Sequence, residues 1–390
     1  MNKLFLTLGL LLASLGCSAA DWVGTWATAP EQAKEANMPA KTKLNNSSLR
    51  QTFRVSLGGD EMRIRFSNQF SRMPLEIKSA YVAESTDGSD INASSAKYVE
   101  FNGKKSVTIA PGQTVYSDPV KFKVNPLQSV SVTINYGNEV PAAGATTHRG
   151  SRATSFIAQG KEVSPKDKFV ADETVEHWYT VTSIDVPAKG QKCIAILGNS
   201  ITDGRGAKTD QNNRWTDAMA EACNGEVGVL NLGIGGNAIL SGGLGRPAVE
   251  RFDEDILGQA GITGVIIGGG VNDIGGSKNA EKTARQLIKQ YKAFIDQCRA
   301  KGLKVYGATI TPFGKSSYYS HFHEAVRQTV NDWIRNEAGY DAVVDFDKAI
   351  ADPTIPTQMR EDFRSDRLHP GPAGYKAMGE CAANVVQSTK

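Results

Sequence analysis

The stretch Cys193-Ile194-Ala195-Ile196-Leu197-Gly198-Asn199-Ser200-Ile201-Thr202-Asp203-Gly204 decides how the rest of the chain is read. Its first five residues are a continuous apolar run, too short for a stable helix and closed by a glycine, which predicts a strand buried on both faces of a parallel sheet. Gly198-Asn199-Ser200 then makes a small polar turn. The turn puts the Ser200 hydroxyl at the carboxyl edge of the sheet, where open α/β sheets keep their chemistry. Taken alone, Gly-x-Ser is an ordinary turn or helix cap.

Beyond this stretch, apolar strand-like runs at Val227–Leu230, Gly264–Ile267, Val305–Thr309 and Ala342–Phe346 alternate with helical patterns near Arg214–Cys223, Lys282–Ala300, Glu324–Ala338 and Ala373–Val386. Such alternation predicts an α/β fold, a doubly wound parallel sheet with helices on both faces. Three further blocks fall at or beside strand ends: Asn231–Asn237 (NLGIGGN), Gly268–Asp273 (GGGVND) and Ser365–Pro370 (SDRLHP). With Gly-x-Ser they resemble, in order and spacing, the signature of the SGNH hydrolases, also called the GDSL family of esterases. The resemblance runs from Cys193 to the C-terminus, and it implies a flavodoxin-like sheet of five strands in the order 2-1-3-4-5.

The same blocks supply what acyl transfer needs. A serine hydroxyl is a weak nucleophile at neutral pH, so it requires a base within reach, itself held in one tautomer by a carboxylate. Among five histidines, His369 stands in Asp366-Arg367-Leu368-His369-Pro370, where a tight turn lets Asp366 reach one ring nitrogen while the other faces Ser200. Donors for the developing oxyanion are expected from the Ser200 N–H, the Gly236 N–H and the Asn272 side-chain amide. The family usually carries Asp between the Gly and Ser of the first block, and here the residue is Asn199. An Asn still organises the turn but removes a negative charge beside the nucleophile. Asp203 and Arg214-Trp215 resemble the two-domain branch of the family. Asn199, Asp203, Asn237 and His148 are expected around the substrate.

From Asp21 to about Pro187 the pattern changes to period two, as in Arg50–Ser56, Met62–Phe66 and Val130–Ile134, with Gly-Gly-Asp, Asn-Gly and Pro-Gly turns between runs. This predicts an antiparallel β-sandwich at 21–187, joined by a polar connector to a catalytic domain at 188–390. Its opening, Asp21-Trp22-Val23-Gly24-Thr25-Trp26-Ala27-Thr28-Ala29-Pro30, resembles the β-rich module of the two-domain branch. Trp22 and Trp26 either stack on sugar rings or pack a domain junction. Thr146-Thr147-His148-Arg149-Gly150 is the polar cluster of this half to watch, either a solvated loop or one that leans over the neighbouring site and helps recognise substrate.

Met1-Asn2-Lys3, the apolar Leu4–Leu15 and Gly16–Ala20 read as a secretory signal peptide at 1–20, so the protein is expected to be exported to the periplasm or medium. Ser14-Leu15-Gly16-Cys17 is also a loose lipobox, which leaves open lipid anchoring at Cys17. The four later cysteines, Cys193, Cys223, Cys298 and Cys381, permit two disulfides in three pairings, or none. The 390 residues are 40% hydrophobic and 22% charged with a net charge of +3, and without a basic cluster that composition argues against nucleic-acid binding. No metal-ligand spacing and no dinucleotide fingerprint is present, so neither metal nor cofactor is expected. The functional expectation is an exported serine esterase removing small acyl groups, acetyl above all, from a carbohydrate. The alternatives are a lipolytic esterase of the same fold and a carbohydrate-binding protein with a degenerate site.

Overall fold

Five parallel strands form the sheet that carries the C-terminal half of the computed structural model, which describes residues 22–188 and 190–389. They are Lys192–Gly198, Val227–Gly233, Gly264–Ile267, Lys304–Ala308 and Ala342–Val344. Numbered in chain order, they lie 2-1-3-4-5 across the sheet. Ile194, Ala195, Ile196 and Leu197 are all buried, as a strand covered on both faces requires. The helices Trp215–Ala222 and Pro372–Ser388 pack on one face, around Ile196, Trp215, Tyr306 and Tyr375. Ala280–Ala300 and His321–Asn336 cover the other, through Leu287, Phe294, Val330 and Trp333. The expected helices and strands all form, with ends shifted by a few residues.

The N-terminal half is antiparallel throughout. One sheet joins Trp22–Ala27, Val181–Pro187, Arg63–Ser67 and Thr114–Tyr116, and a larger one is built around Ser48–Arg54, Ser129–Tyr136 and Leu75–Glu84. A small third sheet pairs Thr146–His148 with Glu31–Gln32 and Trp178–Tyr179. The first strand therefore pairs with the last, and Pro187 ends the module five residues before the parallel sheet begins at Lys192. Trp26 is a packing residue, with its ring 4.4 Å from Phe53 and 4.9 Å, edge-on, from Trp178. Trp22 is half-buried beneath the Arg63 guanidinium, 4.9 Å from its ring centre.

Two domains with separate cores are what the change of period suggests, but one hydrophobic cluster runs from Val23, Trp26 and Phe53 into Leu197, Leu230 and Leu232. The docking is close. The Gly24 N–H donates to the Ala260 carbonyl at 3.0 Å, and the Cys193 thiol lies 3.4 Å from the Gly24 oxygen. Cys193, Cys223, Cys298 and Cys381 are all unpaired, so the two disulfides that the cysteine count permits do not form. Burial pushes the Cys223 thiol up to about 11 and the Cys298 thiol up to about 12, so both stay protonated packing residues. The signal segment and Cys17 lie outside the described residues. Among the described residues no helix is long and apolar enough to cross a membrane.

Gly228 marks one of the tight points of the docking, since a Cβ there would stand 2.6 Å from the Gly24 carbonyl oxygen and 2.9 Å from the Cys193 sulfur. Backbone cannot swing aside as a side chain does. Gly228→Ala is therefore expected to destabilise the protein by about 1–3 kcal/mol, read as a lower urea midpoint, although Gly228 lies far along its strand from Ser200.

Candidate active site

The first strand ends at Gly198, and one turn of helix, Ser200–Asp203, follows without a linker. Asn199 makes this possible: its side-chain oxygen accepts from the Ile201 N–H at 3.0 Å, capping the turn. A neutral amide oxygen thus makes the cap hydrogen bond that a carboxylate would make. Asn199 is buried and occupied by this bond rather than turned to the cleft floor. Ser200 faces an open cleft of about 820 Å³, which is also lined by Gly236, Asn272 and His369.

Ser200 Oγ lies 2.9 Å from His369 Nε2, and His369 Nδ1 lies 2.9 Å from an Asp366 carboxylate oxygen. The other Asp366 oxygen accepts from the backbone N–H groups of Leu368 and His369, both at 2.7 Å. Burial alone would raise the Asp366 carboxyl. The hydrogen bonds from the His369 ring and from these two N–H groups outweigh it, so the group is held below the ordinary carboxylate range. An ionised acceptor at Nδ1 requires the proton there, which leaves Nε2 free to accept from the Ser200 hydroxyl.

The expected oxyanion donors meet at the same place. Gly236 adopts φ +73°, and a side chain there would press on Leu244. Among the described residues, neither the Gly236 N–H nor the Ser200 N–H has a hydrogen-bond partner. The Asn272 amide donates one hydrogen to the Asn237 carbonyl at 2.8 Å and its oxygen accepts from Tyr318 at 3.2 Å, so its second N–H is unassigned. Asp273 anchors the opposite wall by accepting from the Ile239 and Leu240 N–H groups, each at 2.9 Å.

Besides Asn199, two expected substrate contacts need correction. Asn237 is buried, and its amide is used up by the Leu244 and Arg246 carbonyls and by Arg251, so it shapes the loop and does not reach substrate. His148 is also buried and does not line the cleft. Its Nδ1 lies 2.9 Å from the Ala29 carbonyl and its Nε2 lies 2.8 Å from Asp203. Asp203 does line the cleft, although His148 occupies one of its oxygens. The lining also includes Arg149, Arg152, Arg205 and Tyr318. Of these the sequence pattern singles out Arg149 alone. Arg205 and Tyr318 follow the ends of the first and fourth strands, a position that itself marks candidates. Among the described residues, no three His, Cys, Asp or Glu side chains are grouped to hold a metal ion.

Residues 196–377 match the GDSL-like Lipase/Acylhydrolase family. No curated protein matches the chain. Among solved structures, it is similar to a GDSL-like lipase from Bacteroides thetaiotaomicron VPI-5482 (18% identity, covering 52% of this chain and 92% of that one, TM-score 0.40). It is also similar to the lipase/acylhydrolase from Enterococcus faecalis (20%, 50% and 94%, TM-score 0.40). A third is the acetyl xylan esterase AlAXEase (18%, 50% and 98%, TM-score 0.38).

The His148–Asp203 pair makes stability depend on pH. Both ring nitrogens face acceptors, which favours the doubly protonated ring. Burial lowers the His148 value, but the Asp203 hydrogen bond and charge, followed by Glu31, outweigh it and leave the imidazole above its ordinary value. A raised folded value means that the stabilisation is complete below the unfolded imidazole value and is lost as pH rises through the folded one. The stability difference between the wild type and His148→Gln should therefore be largest below about pH 6.5 and shrink above it. Urea melts at a series of pH values check this, and a difference that grows with pH contradicts it.

Proposed function

The C-terminal domain of this chain belongs to the GDSL-like lipase/acylhydrolase family, and from that premise we propose that the protein is an exported serine esterase releasing small acyl groups, chiefly acetyl, from a carbohydrate. The observation that carries the reading is the unbroken line of contacts Ser200–His369–Asp366, two hydrogen bonds of 2.9 Å each at the edge of the sheet.

In this mechanism Ser200 Oγ attacks the ester carbonyl carbon while its proton passes to His369 Nε2. The carbonyl π pair moves onto oxygen, which is received by the Ser200 and Gly236 N–H groups and the second amide hydrogen of Asn272. Asp366 remains ionised and stabilises the imidazolium. Collapse of the tetrahedral intermediate breaks the C–O bond to the alcohol, which takes the proton from Nε2. Water then enters, gives a proton to the same nitrogen, and releases the acid from Ser200.

The preference for a small acyl group rests on the cleft wall. Among the described residues lining it, Leu244, Leu368 and the Tyr318 ring supply the apolar side-chain surface, and the remainder are glycines and polar or charged groups. A longer chain gains about 0.8 kcal/mol per methylene only when it is buried. Among the described residues lining the cleft no further apolar side chain continues these three, so extra methylenes gain little burial there. Support for the carbohydrate comes from the open, polar cleft and from the β-rich module beside it, and support for export comes from the N-terminal sequence.

Two outcomes test the proposal. Hydrolysis of p-nitrophenyl esters should fall steeply from acetate to octanoate and vanish in a folded Ser200→Ala variant. A rise toward octanoate would make the enzyme lipolytic, and no hydrolysis by the wild type on esters and acetylated glycans would leave the non-catalytic reading. Asn272→Ala should lower kcat by about 10²–10³-fold with a small change in KM, as loss of one oxyanion donor does.

A further inference from the structure

We propose that the ester cleaved here belongs to an anionic sugar, whose carboxylate or sulfate group is gripped by Arg205 and Arg152 beside the scissile bond. The inference rests on the esterase reading above and narrows its substrate.

Three arginines and one aspartate line the cleft around Ser200. Two of the arginines, Arg149 and Arg152, come from the β-rich module just after the strand Thr146–His148. The third, Arg205, follows the turn of helix that carries Ser200. A neutral sugar ester gives such a collection of charge nothing to do, and an anionic one does.

The arginines are not equivalent. Arg149 is committed on one edge, since its Nε lies 2.8 Å from Glu31 and its Nη2 donates to the Gly235 carbonyl at 2.7 Å. It contributes field rather than a free fork. Arg152 is held at φ +48°, a strained setting for a residue with a side chain. Its nearest carboxylate oxygen, on Asp203, is 3.6 Å away, and its buried Nε has no hydrogen-bond partner among the described residues. A buried unpartnered guanidinium nitrogen is costly, and the end of the side chain that stays exposed lines the cleft, where an acceptor could reach it. Arg205 is exposed, and its side chain has neither an ion pair nor a hydrogen bond among the described residues. Its backbone is nonetheless pinned, with the N–H donating to the Ser200 carbonyl at 2.8 Å and the carbonyl accepting from Tyr375 at 2.6 Å.

Asp203 offsets this charge only in part, because it is shared between His148, at 2.8 Å, and Arg152, at 3.6 Å, and does not reach Arg205 among the described residues. Planar guanidinium forks match the paired oxygens of carboxylates and sulfates, and the two-sided placement of Arg152 and Arg205 lets such a group orient the sugar over the nucleophile. Because one of these two residues belongs to each half of the chain, the module takes part in choosing the substrate.

The test is steady-state kinetics of the whole protein on an O-acetylated hexuronic acid, its methyl ester, an O-acetylated hexose sulfate and p-nitrophenyl acetate. The expected result is a kcat/KM for one anionic sugar at least about tenfold above that for the neutral methyl ester. That ratio should collapse toward one in Arg205→Ala and in Arg152→Ala, be partly kept in Arg205→Lys, and shrink at high salt. Arg205 is exposed, so its variants report even where Arg152→Ala does not fold. Whichever anionic arm is preferred identifies the group. If the wild type hydrolyses p-nitrophenyl acetate and the methyl ester as well as both anionic sugars, or if the ratio survives Arg205→Ala, the inference is overturned and the esterase reading stands. If p-nitrophenyl acetate and all the sugars are left intact, both fall together.

Discussion

A carboxylate sealed from water must find a cation, and Asp203 finds one in the other half of the chain. Its side chain is 2% exposed and lies on the single turn of helix that begins with Ser200. The partner is His148, itself 4% exposed, whose far nitrogen is fixed by the Ala29 carbonyl. Removing either member would strand a buried charge, which is far more costly than the pair itself is stabilising. The pair thereby clamps the nucleophile turn to the β-rich module, and the tight approach of Gly24 to Gly228 holds the same two bodies together farther down the sheet.

A second buried charge organises the floor of the site. Arg251 is fully buried and donates to the carbonyls of Leu232 and Gly198, the ends of the second and first parallel strands, while it also holds Asn237 and Asp255. Strand ends carry carbonyls that have lost their ladder partners, and a guanidinium with five donors can satisfy several of them together. The consequence reaches the chemistry, since the Asn237 carbonyl is the acceptor that positions the Asn272 amide. The proposed oxyanion donor Asn272 is thus held by groups that lie behind it. Preorganisation of this kind is what makes such donors effective, because no dipole has to turn as charge develops.

The catalytic half was legible in the sequence because its physics is local. A five-residue apolar run stopped by glycine has few other ways to be buried, and the alternation of such runs with helical periods leaves little besides a doubly wound sheet. Asp366 and His369 are three residues apart, so their meeting required only a turn. Asn199, Asn237 and His148 were misplaced for a related reason: polarity next to a motif marks a site, but polarity also serves to cap a turn, satisfy a loop or meet a buried partner, and the spacing does not distinguish these uses. Tyr318 and Arg152, which lie in no recurring pattern, could be placed in the cleft only once the chain was folded.

By itself, then, the sequence determined the period of each segment, the order of the parallel strands through the family it resembles, and the identity of the hydroxyl, imidazole and carboxylate. Tertiary structure alone decided that both halves share one hydrophobic cluster, that the four cysteines among the described residues remain thiols, and that His148 braces Asp203. It also decided that arginines from both halves converge on Ser200. Periodicity is a property of neighbours along the chain, whereas burial, charge pairing and the placing of Arg152 and Arg205 on one cleft depend on surfaces that exist only after distant segments have packed.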